Sequence, residues 1–157
     1  MIFQKILVPL DGSEHSGRAL ETAIQIAKNF NSKLVLITVH HATITPVTSP
    51  ELTMQAPVII PDASAAEMTD KAIEAAHKYD KRILAEAEAK VRSEKIEVET
   101  ELREGNAVDE IVKKSEEGKF DLIIMGARGL STIKKLFIGS VSDGVIKNAS
   151  CPVLVVK

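Results

Sequence analysis

The chain has 157 residues, of which 45% are hydrophobic, 27% charged and 3% aromatic, and its formal net charge is −2. This size and composition predict a single domain over residues 1–157 with an aliphatic core. The near-neutral charge gives no electrostatic basis for binding nucleic acid or an anionic membrane, and no run approaches the ~20 apolar residues of a membrane-spanning helix.

The first quarter of the chain predicts a strand, a helix and a second strand. Residues Ile2–Leu10 are rich in strand-forming side chains and end at the turn residues Asp11-Gly12. Ser13 is placed to cap a helix that ends at Asn31-Ser32. Residues 33–40 are almost continuously apolar, which is typical of a strand covered on both faces. The N-terminal residues do not resemble a signal peptide, because their apolar run is short and alternates with polar residues.

A proline-rich loop is predicted over residues 41–63. It carries four of the six prolines in the chain: Pro46, Pro50, Pro57 and Pro61. Prolines disfavour both a regular helix and a central strand. A loop of this length is uncommon inside a compact domain, so it is either a flap over a site or partner surface, or a disordered insertion.

A long helix is predicted from Ser64, which forms a capping-box pattern with Glu67, to about Arg92. Its buried face is predicted to carry Met68, Ala72, Ala75, Tyr79, Ile83, Ala87 and Val91. The strictly alternating residues 96–102 then predict a strand at a sheet edge. Its outward face is the row Glu97, Glu99 and Glu101, which is expected to be solvated.

The remaining elements alternate in the same way. Asn106 is expected to cap a helix that ends at Gly118, residues 120–125 form a buried strand, and a helix over 140–148 precedes a last strand over 151–157. Alternating strands and helices predict an open, doubly wound parallel sheet with helices on both faces. The single cysteine, Cys151, opens the last strand and reads as an inert core residue; without disulfides, a reducing cytoplasm is the expected compartment.

Glycines mark the segment between the last helix and the strand before it. The chain leaves the strand through Gly126 and Gly129 and enters the helix through Gly139-Ser140. Glycine lets main-chain amides approach a ligand and allows positive φ, and a helix start offers unpaired amides to an anion. We therefore expect the amides of Gly129, Gly139 and Ser140 to surround one polyphosphate beside the first strand. Hydroxyl groups and positive charge are expected from Ser140, Ser142, Arg128, Lys134 and Lys135.

The motif is neither a P-loop nor G-x-G-x-x-G, so the residues alone leave open that the glycines are turns and Ser140 a helix cap. The spacing Gly126-x2-Gly129-x9-Gly139-Ser140 resembles G-2x-G-9x-G-[ST], the ATP-binding signature of the universal stress protein family. The opening ILVPLDGSEHSGRAL and the closing ASCPVLVVK are also similar to that family, so the resemblance covers the whole chain.

The resemblance implies a Rossmann-like, five-stranded sheet of order 3-2-1-4-5 and an ATP-binding regulatory module of the stress response. ATP, or AMP or ADP, would bind with Mg²⁺ or Mn²⁺ held mainly by the phosphates. The family also implies a homodimer formed through the last strand, Val153–Val156, and a protein partner of unknown identity. The implied nucleotide-binding residues are Pro9, Leu10, Asp11, Val39, Met125, Gly126, Arg128, Gly129, Gly139, Ser140, Val141 and Ser142.

Two other functions remain open at this point. The same phosphate cradle could serve a slow ATP hydrolase or phosphotransferase, although no residue is obviously placed to activate a water, and we predict no catalytic residue. Alternatively, the protein could be a dimeric scaffold with a vestigial glycine loop. Asp11 is either a turn residue or a contact to the nucleoside or a metal through water. His15, His40 and His41 lie near strand ends, but the adjacent pair point to opposite sides, so we predict no protein-held metal.

Overall fold

The computed structural model describes residues 3–40, 63–129 and 138–157, and for residues 63–69 the backbone alone. Strands and helices alternate along the chain, as the sequence predicts. The proline-rich segment 41–62 lies outside the described residues. The elements are β1 Lys5–Pro9, α1 Glu14–Phe30, β2 Lys33–His40, α2 Ala63–Ser93, β3 Val98–Glu104, α3 Ala107–Glu117, β4 Leu122–Gly126, α4 Ser140–Asn148 and β5 Val153–Val156.

The five strands form one parallel sheet of order β3-β2-β1-β4-β5, which confirms the predicted doubly wound fold. From β1 the chain adds β2 and β3 on one side and β4 and β5 on the other. The order therefore reverses between β1 and β4, which is where ligands bind in sheets of this kind. Alternate strand residues pack against α1 and α2 on one face and against α3 and α4 on the other.

Several local signals act as the sequence predicts. The Ser13 hydroxyl accepts a hydrogen bond from the Ser16 amide at 3.1 Å and caps α1, which ends at Asn31 with φ of 55°. Strand β1 begins later than predicted. Phe3 has φ of 64°, which breaks the extended backbone. The Asp121 carboxylate accepts hydrogen bonds from the amides of Gln4 and Lys5 at 2.9 Å each.

The buried face of α2 differs from the prediction. Its 31 residues span ~46 Å, against ~26 Å for the eight residues of β2. His40, the last residue of β2, contacts Asp80, so the helix before this point extends past the carboxyl ends of the strands. Ala72, Ala75 and Tyr79 are therefore exposed. Over residues 70–93, where the side chains are described, the buried residues are Leu84, Ala87 and Val91. The side chain of Met68 lies outside that range. The helix begins at Ala63, which places Ser64 inside it rather than at the cap.

Strand β3 lies at a sheet edge, and Glu97 and Glu99 are exposed, both as predicted. Glu97 and Glu99 pair with Lys33 at 2.8 and 2.7 Å. Glu101 is half-buried and pairs with Arg103 and with Lys114 on α3. All three carboxylates therefore form ion pairs with basic side chains of the same chain. Among the described residues, no helix is long and apolar enough to cross a membrane.

Candidate functional site

A cavity of about 250 Å³ opens at the carboxyl ends of β1, β2 and β4, where the strand order reverses. All twelve residues predicted for the nucleotide line it, from Pro9, Leu10 and Asp11 through Val39 to the segments around β4 and α4. Sequence reasoning missed four further lining residues: Ser16, Ile37, Ala107 and Ile111. Ile37 could have been found, because it lies two residues before Val39 on the same face of β2.

One end of the cavity is apolar and carries unpaired main-chain groups. The Leu10 amide donates to the Ile37 carbonyl at 2.8 Å, and β1 ends there. The next main-chain groups on this edge of β2 belong to Val39, and no described residue pairs with its amide or its carbonyl. A donor and an acceptor therefore stand side by side between apolar walls. They suit a planar ring whose edge offers the complementary acceptor and donor.

The other end of the cavity is formed by the start of α4. Gly139 is the N-cap residue, with φ of −66° and ψ of 156°. Because glycine has no side chain, no N-cap side chain accepts a hydrogen bond from the first amides of α4. Within the described part of the chain, nothing accepts a hydrogen bond from the amides of Ser140, Val141 or Ser142. The start of α4 thus presents three unpaired amides and the positive end of the helix dipole at the cavity. This arrangement favours an anion.

Two groups predicted to meet the anion are engaged elsewhere. The Gly139 amide donates to the Ala127 carbonyl at 2.7 Å, so the unpaired amides begin one residue later than predicted. The Ser142 hydroxyl donates to the Gly126 carbonyl at 2.8 Å, and its oxygen lies 3.2 Å from the Ala127 carbonyl. Lys134 and Lys135 lie outside the described residues.

Steric contact, not backbone freedom, explains glycine at two positions of the site. Neither Gly126 nor Gly129 has positive φ; the described glycines that do are Gly12 and Gly105. A Cβ on Gly126 would lie 2.7 Å from the carbonyl carbon of His15, and a Cβ on Gly129 would meet the Asp11 carboxylate. The glycines therefore let α1 and the Asp11 turn pack closely against the end of β4.

Asp11 makes the predicted turn interaction and also lines the cavity. Its Oδ1 accepts a hydrogen bond from the Ser13 amide at 2.9 Å, which is the turn interaction. Its Oδ2 lies beside Gly129 in the cavity wall. The carboxylate thus fixes the turn after β1 and also places a negative charge at the site.

His15, His40 and Cys151 do not line this cavity, although His15 packs against Gly126 at its edge. His40 Nδ1 lies 2.7 Å from Asp80 Oδ2, and its ring packs on that of His77. The described residues contain no group of three His, Cys, Asp or Glu side chains that could hold a metal; His41 is not among them. Burial raises the pKa of the Cys151 thiol, which disfavours the reactive thiolate.

The fold and the site define a doubly wound α/β protein. The start of a helix, α4, lies where the strand order reverses, and its unpaired amides suit an anion. The chain belongs to the universal stress protein family, which matches residues 2–157. It is 33% identical over 156 residues to universal stress protein MJ0531 of Methanocaldococcus jannaschii (99% of this chain, 83% of that protein). It is 32% identical over 156 residues to universal stress protein YxiE of Bacillus subtilis (99% and 100%).

Solved structures show the same fold. Universal stress protein UspA from Lactobacillus plantarum superposes with a TM-score of 0.79 at 21% identity, covering 100% of this chain and 99% of that one. A universal stress protein in complex with cAMP superposes with a TM-score of 0.65 at 27% identity, covering 99% and 98%. Nucleotide binding therefore occurs in a protein of similar fold.

Proposed function

We propose that this protein binds ATP and acts in the cytoplasm as a nucleotide-dependent regulatory module of the stress response, with residues 1–157 as one nucleotide-binding domain. The observation that supports this most directly is the pairing of two features in one cavity. The unpaired amides of Ser140–Ser142 suit phosphates, and the unpaired main chain of Val39 suits a base. The cAMP complex of a similar protein agrees with this assignment.

The site residues divide by chemistry. The base would contact Val39 through its main chain and side chain, with Pro9 and Leu10 as apolar walls, and the ribose would lie by Met125 and Gly126. The phosphates would bind the start of α4, with Arg128 and Gly129 on the facing wall. A divalent ion, Mg²⁺ or Mn²⁺, would be held mainly by the phosphates and would neutralise part of their charge.

The proposal predicts that the purified protein carries an adenine nucleotide. Denaturing the protein and analysing the supernatant by mass spectrometry should detect ATP, ADP or AMP. Protein stripped of nucleotide should then give a calorimetric binding signal with Mg-ATP. An empty supernatant together with no heat on addition of Mg-ATP would contradict the proposal.

The site should also prefer ATP to GTP. The edge of adenine offers an acceptor at N1 and a donor at N6, which complements the amide and carbonyl of Val39. Guanine offers the opposite pattern there, a donor at N1 and an acceptor at O6. Mismatched buried groups cost about 1–3 kcal/mol, so GTP should bind at least about fivefold more weakly in calorimetry. Equal affinities for the two nucleotides would exclude base recognition by Val39.

We further propose that the protein is a homodimer formed through β5. This strand lies at the sheet edge, with Leu154 38% exposed, and α4 beside it exposes Ile146 by 43%. An apolar edge strand with unpaired main-chain groups favours pairing with a second copy. Light scattering should give twice the chain mass of 17.0 kDa for the unmodified protein.

Leu154→Lys should convert this dimer to a monomer, because the charge would be buried in the interface. Ser150→Lys is the matched control, since Ser150 is exposed and precedes β5, and it should leave the dimer intact. A Leu154→Lys variant that keeps the dimer mass would place the interface elsewhere.

A further inference from the structure

We infer that Ser142 is a positioning residue, whose hydroxyl orients the phosphate-binding amides of α4 and does not itself contact phosphate. This inference rests on the proposed nucleotide binding. Ser142 is 3% exposed, and its hydroxyl donates to the Gly126 carbonyl at 2.8 Å across sixteen residues of chain. The bond joins the first turn of α4 directly to the end of β4.

The chemistry of a hydroxyl group supports this role. A serine hydroxyl has one proton to donate, and here the shorter contact goes to the Gly126 carbonyl. The lone pairs that remain on Oγ would repel a phosphate oxygen. To donate to phosphate, Ser142 would have to break a buried hydrogen bond and leave a carbonyl in the cavity wall unpaired, which is costly.

Ala127 shows what the bond stabilises. Its amide donates to the Val156 carbonyl of β5 at 2.7 Å, and its own carbonyl accepts the Gly139 amide at 2.7 Å. The segment after β4 is thus fixed to the sheet, and the N-cap of α4 is fixed to that segment. Ser142 adds a second connection, from the third residue of α4 to the same segment. Two connections set the direction of the amides between them, those of Ser140 and Val141.

The test combines ligand affinity with amide exchange in the nucleotide-free protein. Ser142→Ala should lower the affinity for Mg-ATP by about tenfold and leave the affinity for adenosine unchanged, because only the phosphate end loses its geometry. In the absence of nucleotide, the same variant should speed hydrogen–deuterium exchange at the Gly139 amide. A residue that donated directly to phosphate would leave this exchange unchanged.

Ser140→Ala provides the matched control. Ser140 is exposed, and within the described residues its hydroxyl has no partner. Its removal should leave Gly139 exchange at the unmodified rate. Unchanged exchange in Ser142→Ala would overturn the positioning role, whereas failure of the unmodified protein to bind Mg-ATP would contradict the proposed function.

A measurement on the unmodified protein covers the case in which Ser142→Ala does not fold. In a crystal structure with Mg-ATP, the Ser142 Oγ should remain within hydrogen-bond distance of the Gly126 carbonyl and should not contact a phosphate oxygen. A hydroxyl turned from the carbonyl to a phosphate would overturn the inference.

Discussion

Replacing Ser140 with aspartate is expected to abolish ATP binding without destabilising the fold. The carboxylate would stand at the first residue of α4, where its interaction with the helix dipole stabilises by about 0.3–1 kcal/mol. The same charge would repel phosphates: two unit charges 4 Å apart near a protein surface interact by about 4 kcal/mol, which corresponds to roughly a thousandfold in affinity. Calorimetry and thermal unfolding on the same sample should show these opposite effects.

Ser140→Asn is the control for this prediction, because it has nearly the same shape as aspartate and carries no charge. It should retain ATP binding within about tenfold of the unmodified protein, since asparagine is also a favourable residue near a helix start. If Ser140→Asp binds Mg-ATP as well as Ser140→Asn does, the phosphates do not lie at α4.

Replacing Gly126 with alanine is expected to damage both the fold and the site. The new methyl group would lie 2.7–2.8 Å from the carbonyl carbon and Cβ of His15 and from the amide nitrogen of Ser16. Two of these are main-chain atoms of α1 that cannot rotate away. Overpacking of this kind costs about 1–3 kcal/mol, and separation of α1 from β4 would widen the cavity. Urea unfolding should show the loss of stability, and calorimetry the loss of ATP binding.

Gly17→Ala is the matched control within the same helix. A Cβ at Gly17 meets nothing within 4 Å, and the residue lies inside α1. Alanine should therefore stabilise the helix by up to about 1 kcal/mol and leave ATP affinity unchanged. If Gly126→Ala and Gly17→Ala have the same effect on stability, close packing at Gly126 is not what requires glycine there.

Local signals account for the parts of the fold that could be predicted from sequence. Asn106 accepts hydrogen bonds from the amides of Val108 and Asp109 and caps α3, and Gly118 ends that helix, as predicted. Such interactions involve residues a few positions apart, so the residue types are enough to predict them. The strand order came instead from the family resemblance, because periodicity identifies strands without specifying their neighbours.

The errors fall where distant segments meet. The sequence predicts that the Gly139 amide and the Ser142 hydroxyl donate hydrogen bonds to phosphate. In the structure they donate instead to the carbonyls of Ala127 and Gly126, at the end of β4. The sequence does not mark Ala107 and Ile111 as lining residues, because nothing in a small or aliphatic side chain distinguishes a cavity wall from a packed interior. The residues predicted for the site all line one cavity, but the sequence alone could not assign their hydrogen bonds.

The most direct test of the account is an NMR titration that follows individual backbone amides. Addition of Mg-ATP should shift the amide signals of Ser140, Val141 and Ser142, whereas adenosine should leave these three unchanged and shift Val39, which ATP should also shift. The account would be contradicted if Mg-ATP left the first three amides of α4 unmoved, or if adenosine shifted them as strongly as ATP does.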